Sequence, residues 1–451
     1  MFLKWRRKLL VAHALRDHFT PVVLQELLTT ARTFPVTARV DLQRALEQTF
    51  GQKYSSRVLG VFSTYSHETL TVAHLIDAES SRVQIAPLQY DEIDMGEASP
   101  ARCLKNALWL ARSAEMPFAV LLSPGEKFGR TTGVHLQLAV PPGEQGLELA
   151  RDFFARVEAL INAAGSYRGK ILSLEQIDHY SGVAGAVKVH RLAGVARDQV
   201  ILPDKTLLLL ERNITEFIQQ REQLRRFGMP AKKGLLFYGP PGTGKTHTIH
   251  YLASQLSNHT TLLITAEQVG LLEEYLQLAR FLQPAMVVIE DIDLIARERE
   301  SMRSACEESL LNKLLNEMDG LREDAEILFV LTTNRPEKIE AALMARPGRV
   351  DQAIEFPLPD QEGRRKLLRL YARGMVLPDD IVDLAVAKTK GASAAFIKEL
   401  MRRSAQFSMR NGEAKRLEGS HLASALEEML FSGGSLNRKL LGGEIEQSRI
   451  E

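Results

Sequence analysis

Apolar positions recur near helical spacing over residues 1 to about 50, through Leu9, Leu10, Ala14, Val22, Leu24 and Leu27, which predicts helices there. From about 55 to 140 the pattern shortens into strand-like runs: 58–62, 71–76, 83–86, 118–122 and 134–138. A helix is predicted over 146–164. This first half reads as an α+β module. The Pro124–Arg130 stretch reads as a hairpin or surface turn, and 165–233 as a connecting segment with one helix at 205–227, stopped by Gly228, Met229 and Pro230. Five short apolar runs then alternate with helical segments: 235–238, 262–265, 286–289, 327–332 and 353–356. Alternation of that kind predicts a parallel sheet covered by helices. Helical patterns follow at 364–373, 381–387, 393–409 and 421–430, before a polar, glycine-broken end.

At this length two or three domains are expected. The boundaries predicted are 1–195 for an α+β domain that recognises a partner or substrate, 196–358 for an α/β nucleotide domain, 359–432 for a helical lid and 433–451 for a polar tail. A net charge of +1 gives no overall field to recruit nucleic acid or anionic membrane. Two cysteines, Cys103 and Cys306, offer neither a disulfide framework nor a zinc cluster, and fit a reducing, cytoplasmic setting. No apolar run reaches the ~18 residues of a membrane span. The basic start, Lys4, Arg6, Arg7 and Lys8 beside Leu9-Leu10-Val11, reads as a solvated helix face. His67-Glu68 begins like a zinc-protease motif, but Thr71 stands where the second histidine is needed.

The chemistry is concentrated in the second half. Gly239-Pro240-Pro241-Gly242-Thr243-Gly244-Lys245-Thr246 has the spacing of a phosphate-binding loop, between the apolar run 235–238 and a helix-compatible stretch from His247 to Gln255. Glycines let the backbone turn its N–H groups onto phosphate, and the helix start adds a positive dipole end. Lys245 can reach the outer phosphates and the Thr246 hydroxyl can hold Mg2+. His247, next in the chain, is grouped with the loop as nucleotide-binding.

Met286-Val287-Val288-Ile289-Glu290-Asp291-Ile292-Asp293 reads as a buried strand with acidic residues at its carboxyl end, where ligands bind in parallel sheets. One carboxylate can hold hydrated Mg2+ while a neighbour orients water; a charged turn is the plain alternative. Asn334 ends a second apolar strand and could bond the water or the terminal phosphate, or simply serve the turn before Arg335-Pro336. Arg346-Pro347-Gly348-Arg349 places two guanidiniums where charge could develop in phosphoryl transfer, or forms a basic surface turn.

In this order the motifs resemble the AAA ATPases, over about residues 200 to 430. The resemblance implies a Rossmann-like nucleotide domain with a helical lid, ATP and Mg2+ as ligands, a homo-oligomeric ring, hexameric by analogy, and a protein partner. It implies that Lys245 and Thr246 hold phosphate and Mg2+, that Asn334 is a polar sensor, and that Arg346 and Arg349 face the neighbouring subunit's nucleotide. Gly391-Ala392-Ser393 resembles the lid turn near the adenine. The acidic strand departs from the usual Asp-Glu order: Glu290 would take the metal role and Asp291 would polarise water, as in the similar Glu-Asp-Ile-Asp pattern of the branch that assembles respiratory complex III. The loop around Val269-Gly270 lacks the aromatic of threading members, and Tyr275 reads as a helix residue. ATP-driven remodelling of a protein is expected. A slow-turnover scaffold or switch is the alternative. A GTPase fits poorly, because Asn312-Lys313-Leu314-Leu315 lacks the aspartate a guanine site needs.

Overall fold

The computed structural model of the chain describes residues 10–63, 69–76, 83–127, 130–176, 184–294, 314–337 except 315, 319 and 321, residue 339, 350–410 and 416–429. It divides into two compact units, Met1–His190 and Arg191–Glu451.

In the first unit, chain order is α1 (Val11–Phe19), β1 (Leu28–Phe34), α2 (Arg39–Gln52), β2 (Ser55–Phe62), α3 (Val72–Ile76), β3 (Gln84–Ala86), β4 (Tyr90–Ile93), β5 (Ala101–Leu104), β6 (Ala107–Ser113), β7 (Met116–Lys127), β8 (Arg130–Val140), α4 (Glu144–Ala164), β9 (Ile171–Gln176) and β10 (Ala184–His190). Six strands form an antiparallel sheet in the order β1-β8-β7-β6-β2-β3. Helices cover both of its faces. Val11, Leu15 and Phe19 of α1 pack with Val61, Leu108, Ala119 and Leu121. On the other face Phe50 of α2 stacks on Trp109 at 5.2 Å, and Phe153 of α4 meets Phe118 at 6.2 Å. That two-sided burial explains why residues 118–122 of β7 read as a continuous apolar run.

Three local expectations change. Residues 28–34, read as helical, are the edge strand β1; its burial alternates with period two, but only Phe34 is buried. The run at 71–76, read as a strand, contains the short helix α3, whose Val72 N–H donates to the Gln137 side chain at 2.7 Å. Tertiary packing decides so short a segment. The stretch read as a connection contains the hairpin β9–β10. Around Pro124, β7 and β8 do form a hairpin.

The second unit runs α5 (Asp204–Leu210), a π-helical segment (Glu211–Glu216), α6 (Phe217–Arg226), β11 (Lys233–Tyr238), α7 (Lys245–Gln255), β12 (Thr260–Ile264), α8 (Leu272–Phe281), β13 (Ala285–Ile289), β14 (Ile327–Thr333), β15 (Gln352–Glu355), α9 (Gln361–Tyr371), α10 (Asp379–Lys388), α11 (Ala394–Arg410) and α12 (Gly419–Glu427). β11 to β15 are parallel in the order β12-β13-β14-β11-β15. Every residue of β13 and β14 is buried, so their apolar runs are two-sided core strands. The first strand of this unit, β11, sits beside β14 rather than β12. That jump is a topological switch, and ligands bind outside the carboxyl ends of strands at such a point. Helices α9 to α12 enclose their own core around Leu368, Val382, Phe396, Ile397, Leu400 and Ala425. The predicted helix residue Tyr275 is in α8, fully buried, with its hydroxyl donating to Gln268.

Candidate nucleotide site

Strand register brings the site together. Tyr238 pairs with Thr333, and Ile289 with Leu331. The loop after β11, the acidic residues after β13 and Asn334 after β14 therefore leave the sheet at one edge. The cleft there has a volume of about 340 Å3. Its floor is the phosphate loop, and Asp291, Thr332 and Asn334 line one side.

The loop's glycines are required by its shape. Gly239, Gly242 and Gly244 have φ of 146°, 75° and 101°. A Cβ on Gly239 would lie 2.2 Å from the Phe356 carbonyl oxygen, whereas one on Gly244 would meet nothing within 4 Å. The first closes the loop against its own domain; the second leaves open space above the start of α7. Lys245 opens that helix and is buried, its ammonium donating to the Gly239 and Pro240 carbonyls at 2.8 and 3.0 Å. Burial pushes its pKa down to about 8, against the opposing pull of Asp291 and Asp293. The Thr243 hydroxyl donates to Pro240 O at 2.9 Å, bracing the turn.

The acidic residues take different partners. The Thr246 hydroxyl donates to the Glu290 carboxylate at 2.7 Å. Asp291 sits at φ 50°, a left-handed conformation that aspartate tolerates, and its N–H donates to Thr332 Oγ1 at 3.0 Å. Asn334 Nδ2 donates to Asp291 Oδ1 at 2.9 Å. Burial first, then Asp293 and Glu290, raise the Asp291 pKa; Lys245 and the Asn334 bond oppose them. Asp293 is a buried brace: it accepts from the Thr333 hydroxyl at 2.8 Å and from Asn334 N–H at 3.2 Å.

The opposite wall was not anticipated from sequence. It comes from Gln199, Val200, Ile201 and Leu202, and from Leu367, Tyr371, Ala394, Ala395 and Lys398. Leu367 and Tyr371 are four apart and share a face of α9. A helical period in an apolar stretch marks a core face equally well, so only their meeting with the loop exposes them. His247 lines the cleft and donates through Nε2 to Gln199 O at 3.2 Å. Gly391 and Ala392 lie in the turn before α11; Ala392 is buried in the lid core, and the cleft wall there begins at Ala394. The lid touches the loop directly, Ala395 N–H donating to Gly242 O at 3.1 Å. Arg346, Arg349, Asn312, Lys313, Cys306, His67 and Glu68 lie outside the described residues.

Residues 235–358 match the family "ATPase family associated with various cellular activities (AAA)". They form an AAA ATPase domain. Over longer stretches the chain is similar to a proteasome-activating nucleotidase of Methanothermobacter thermautotrophicus, 30% identical over 242 residues, covering 51% of this chain and 58% of that protein. A proteasome-activating nucleotidase of Sulfurisphaera tokodaii is 34% identical over 225 residues, 47% of this chain and 57% of that protein. The 26S proteasome regulatory subunit 6A of Schizosaccharomyces pombe is 27% identical over 360 residues, 74% of each chain. The chain thus spans less than three fifths of the two nucleotidases it matches.

The AAA domain implies ATP, usually with Mg2+, and the residues present fit both. The Asn334 Oδ1 oxygen is buried without a hydrogen-bond partner, an acceptor that needs a donor such as water. Lys245 has a third donor beyond its two carbonyl bonds. Among the described residues no group of three or more His, Cys, Asp or Glu side chains could hold a metal alone. Mg2+ keeps waters and takes few protein ligands beside phosphate oxygens, and the Thr246 hydroxyl and Glu290 carboxylate, 2.7 Å apart, are oxygens of the kind it takes. Among the described residues, no helix is long and apolar enough to cross a membrane.

Proposed function

We propose that this chain is an ATP hydrolase that couples nucleotide binding and hydrolysis to remodelling of a protein partner, working as a homo-oligomeric ring. The observation that carries the reading is the division of labour at the carboxyl edge of the sheet: Glu290 is bonded to Thr246, and Asp291 to Asn334. The loop amides and Lys245 would hold the phosphates. Thr246 and Glu290 would hold Mg2+, which would neutralise charge on the outer phosphates. Asp291, aimed by Asn334, whose bond favours the ionised carboxylate, would draw a proton from water while the orphaned Asn334 carbonyl fixes that water's second hydrogen.

Arg346 and Arg349 would serve a neighbouring subunit's site, which makes assembly necessary for turnover. The names of the relatives, proteasome-activating nucleotidase and proteasome regulatory subunit, support a protein as the partner. The domain limits expected from sequence, with the first unit as the partner-recognising part, belong to the same reading, as does a cytoplasmic setting.

The test is steady-state ATP hydrolysis with Mg2+ across a concentration series that populates the assembled state. Wild type should turn over ATP, Lys245→Ala should lose binding, and Arg349→Ala should bind but not hydrolyse. Hydrolysis by Lys245→Ala at the wild-type rate would overturn the assignment. One feature favours a slow switch as the second reading: Asp291 has one methylene less than glutamate and is held at a left-handed φ. Tight Mg-dependent ATP binding with negligible turnover by assembled wild type would select it.

A further inference from the structure

The first unit offers a surface of a different kind. β3 is only three residues long and pairs with Gly60–Phe62 of β2. It stops where Pro87 follows, because proline has no N–H to continue a ladder. A Cβ on Gly60 would lie 2.3 Å from the Pro87 carbonyl oxygen, so that glycine is what lets the chain pass so close as it leaves the strand. Among the described residues Ser55–Leu59 pair only with β6. Among the described residues, their other edge carries no hydrogen-bond partner. An unsatisfied edge of this length, about 17 Å, is a template for an added strand.

A groove of about 680 Å3 runs beside this edge, on the sheet face that α1 partly covers. Its apolar floor includes Leu59 and Leu110, and its rim carries Arg57 and Arg112. Arg57 has no ion pair or hydrogen bond among the described residues, and Arg112 donates only to the Glu115 carbonyl at 3.3 Å. Asp17 is the sole carboxylate among the lining residues, against two guanidiniums. His13, also in the lining, has a buried Nδ1 without a partner.

We infer that this edge and groove receive an extended acidic segment of a protein partner, added as a strand antiparallel or parallel to β2 along Ser55–Leu59. Main-chain bonds to the open edge would give affinity; Arg57 and Leu59 share one sheet face with Leu110 and Arg112 of β6, so the partner's alternate carboxylates would lie over Arg57 and Arg112 while its apolar residues take the other face, beside Val58. The chain's own start, with Lys4, Arg6, Arg7 and Lys8, has the wrong charge for this groove. The inference deepens the reading that the first unit takes a protein partner. Its test is run without nucleotide, so a failure of hydrolysis does not bear on it.

Labelled short peptides alternating valine with glutamate, or valine with lysine, are titrated with the full chain and followed by fluorescence anisotropy. The glutamate peptide should bind about tenfold more tightly than the lysine peptide, and the double variant Arg57→Glu/Arg112→Glu should erase or reverse that preference. Both arginines are exposed, so the variant should keep the wild-type circular dichroism and ATP hydrolysis. N-methylation of alternate amides in the glutamate peptide should abolish its binding. Equal affinity for the two peptides, no binding by either, indifference to the double variant, or full binding by the N-methylated peptide would each overturn the inference. A match to the charge effect with no effect of N-methylation would replace strand addition by simple charge attraction.

Discussion

Asn334 Nδ2 donates to Asp291 Oδ1 at 2.9 Å, tying together the residues that follow two adjacent strands. β14 places the amide, and the left-handed turn at Asp291 swings the carboxylate toward it. The bond favours the ionised carboxylate, against the burial that raises the Asp291 pKa. Asn334→Ala should therefore cut kcat for ATP by roughly 100-fold while leaving nucleotide affinity within about threefold. The acid limb of the kcat profile should also move to higher pH, because less of the carboxylate is ionised at any given acidic pH. A pH series of initial rates at saturating Mg-ATP checks both. An unmoved limb would show that Asn334 does not act through Asp291.

How much of this was legible beforehand differs by element. The phosphate loop, Glu290, Asp291 and Asn334 could be read because each is a local pattern: a fixed spacing, or a polar residue ending a buried run. Asp293 appeared in the same run, yet its bond to Thr333 depends on strand neighbours 40 residues apart. The wall made by Gln199–Leu202, Leu367, Tyr371 and Lys398 has no local signature; packing of the lid brings it to the loop. In the first unit, β1 was missed because an edge strand with one buried residue shows little apolar alternation. α3 was misread because five residues are too few to separate a helical period from a strand.

Glu290 and Asp291 differ in partner, so their amide variants should fail differently. Glu290→Gln keeps an oxygen for the Thr246 hydroxyl but removes charge beside it. The Mg2+ concentration needed for half-maximal ATP binding should rise about tenfold. Asp291→Asn should leave that requirement within about threefold and lower kcat by 100-fold or more, about the contribution of a positioned general base. Isothermal titration across Mg2+ concentrations, paired with steady-state rates, separates the two. Interchanged phenotypes would reverse the two roles.

Lys245 should make ATP affinity pH-dependent. Its pKa is lowered to about 8, chiefly by burial. Phosphate favours the charged ammonium, so below pH 8 the group is already protonated and affinity is flat. Above pH 8 binding must take up a proton, and affinity should fall with rising pH by up to about tenfold per unit. Lys245→Arg should flatten this slope, because arginine stays charged throughout. Binding of a fluorescent ATP analogue from about pH 7 to 9.5 reads the slope directly. An identical slope in wild type and Lys245→Arg would assign the titration to another group.

Gly242 and Gly244 separate backbone strain from lid docking. Both have positive φ, so alanine at either position costs on the order of 1 kcal/mol in backbone conformation. Only at Gly242 does the new Cβ collide with the lid, 2.9 Å from Ala395 Cβ and 2.9 Å from Ser393 Oγ. Ala395 N–H also donates to Gly242 O there, so relief of the clash pushes away the residue that docks the start of α11. Nucleotide-free Gly242→Ala should therefore be less stable than Gly244→Ala by about 1–3 kcal/mol, the usual cost of overpacking. Limited proteolysis should also cut its lid helices faster at equal temperature. Equal melting and equal cleavage of the two variants would mean that the lid is not held by this contact, and Ala395 would then reach the cleft without depending on Gly242.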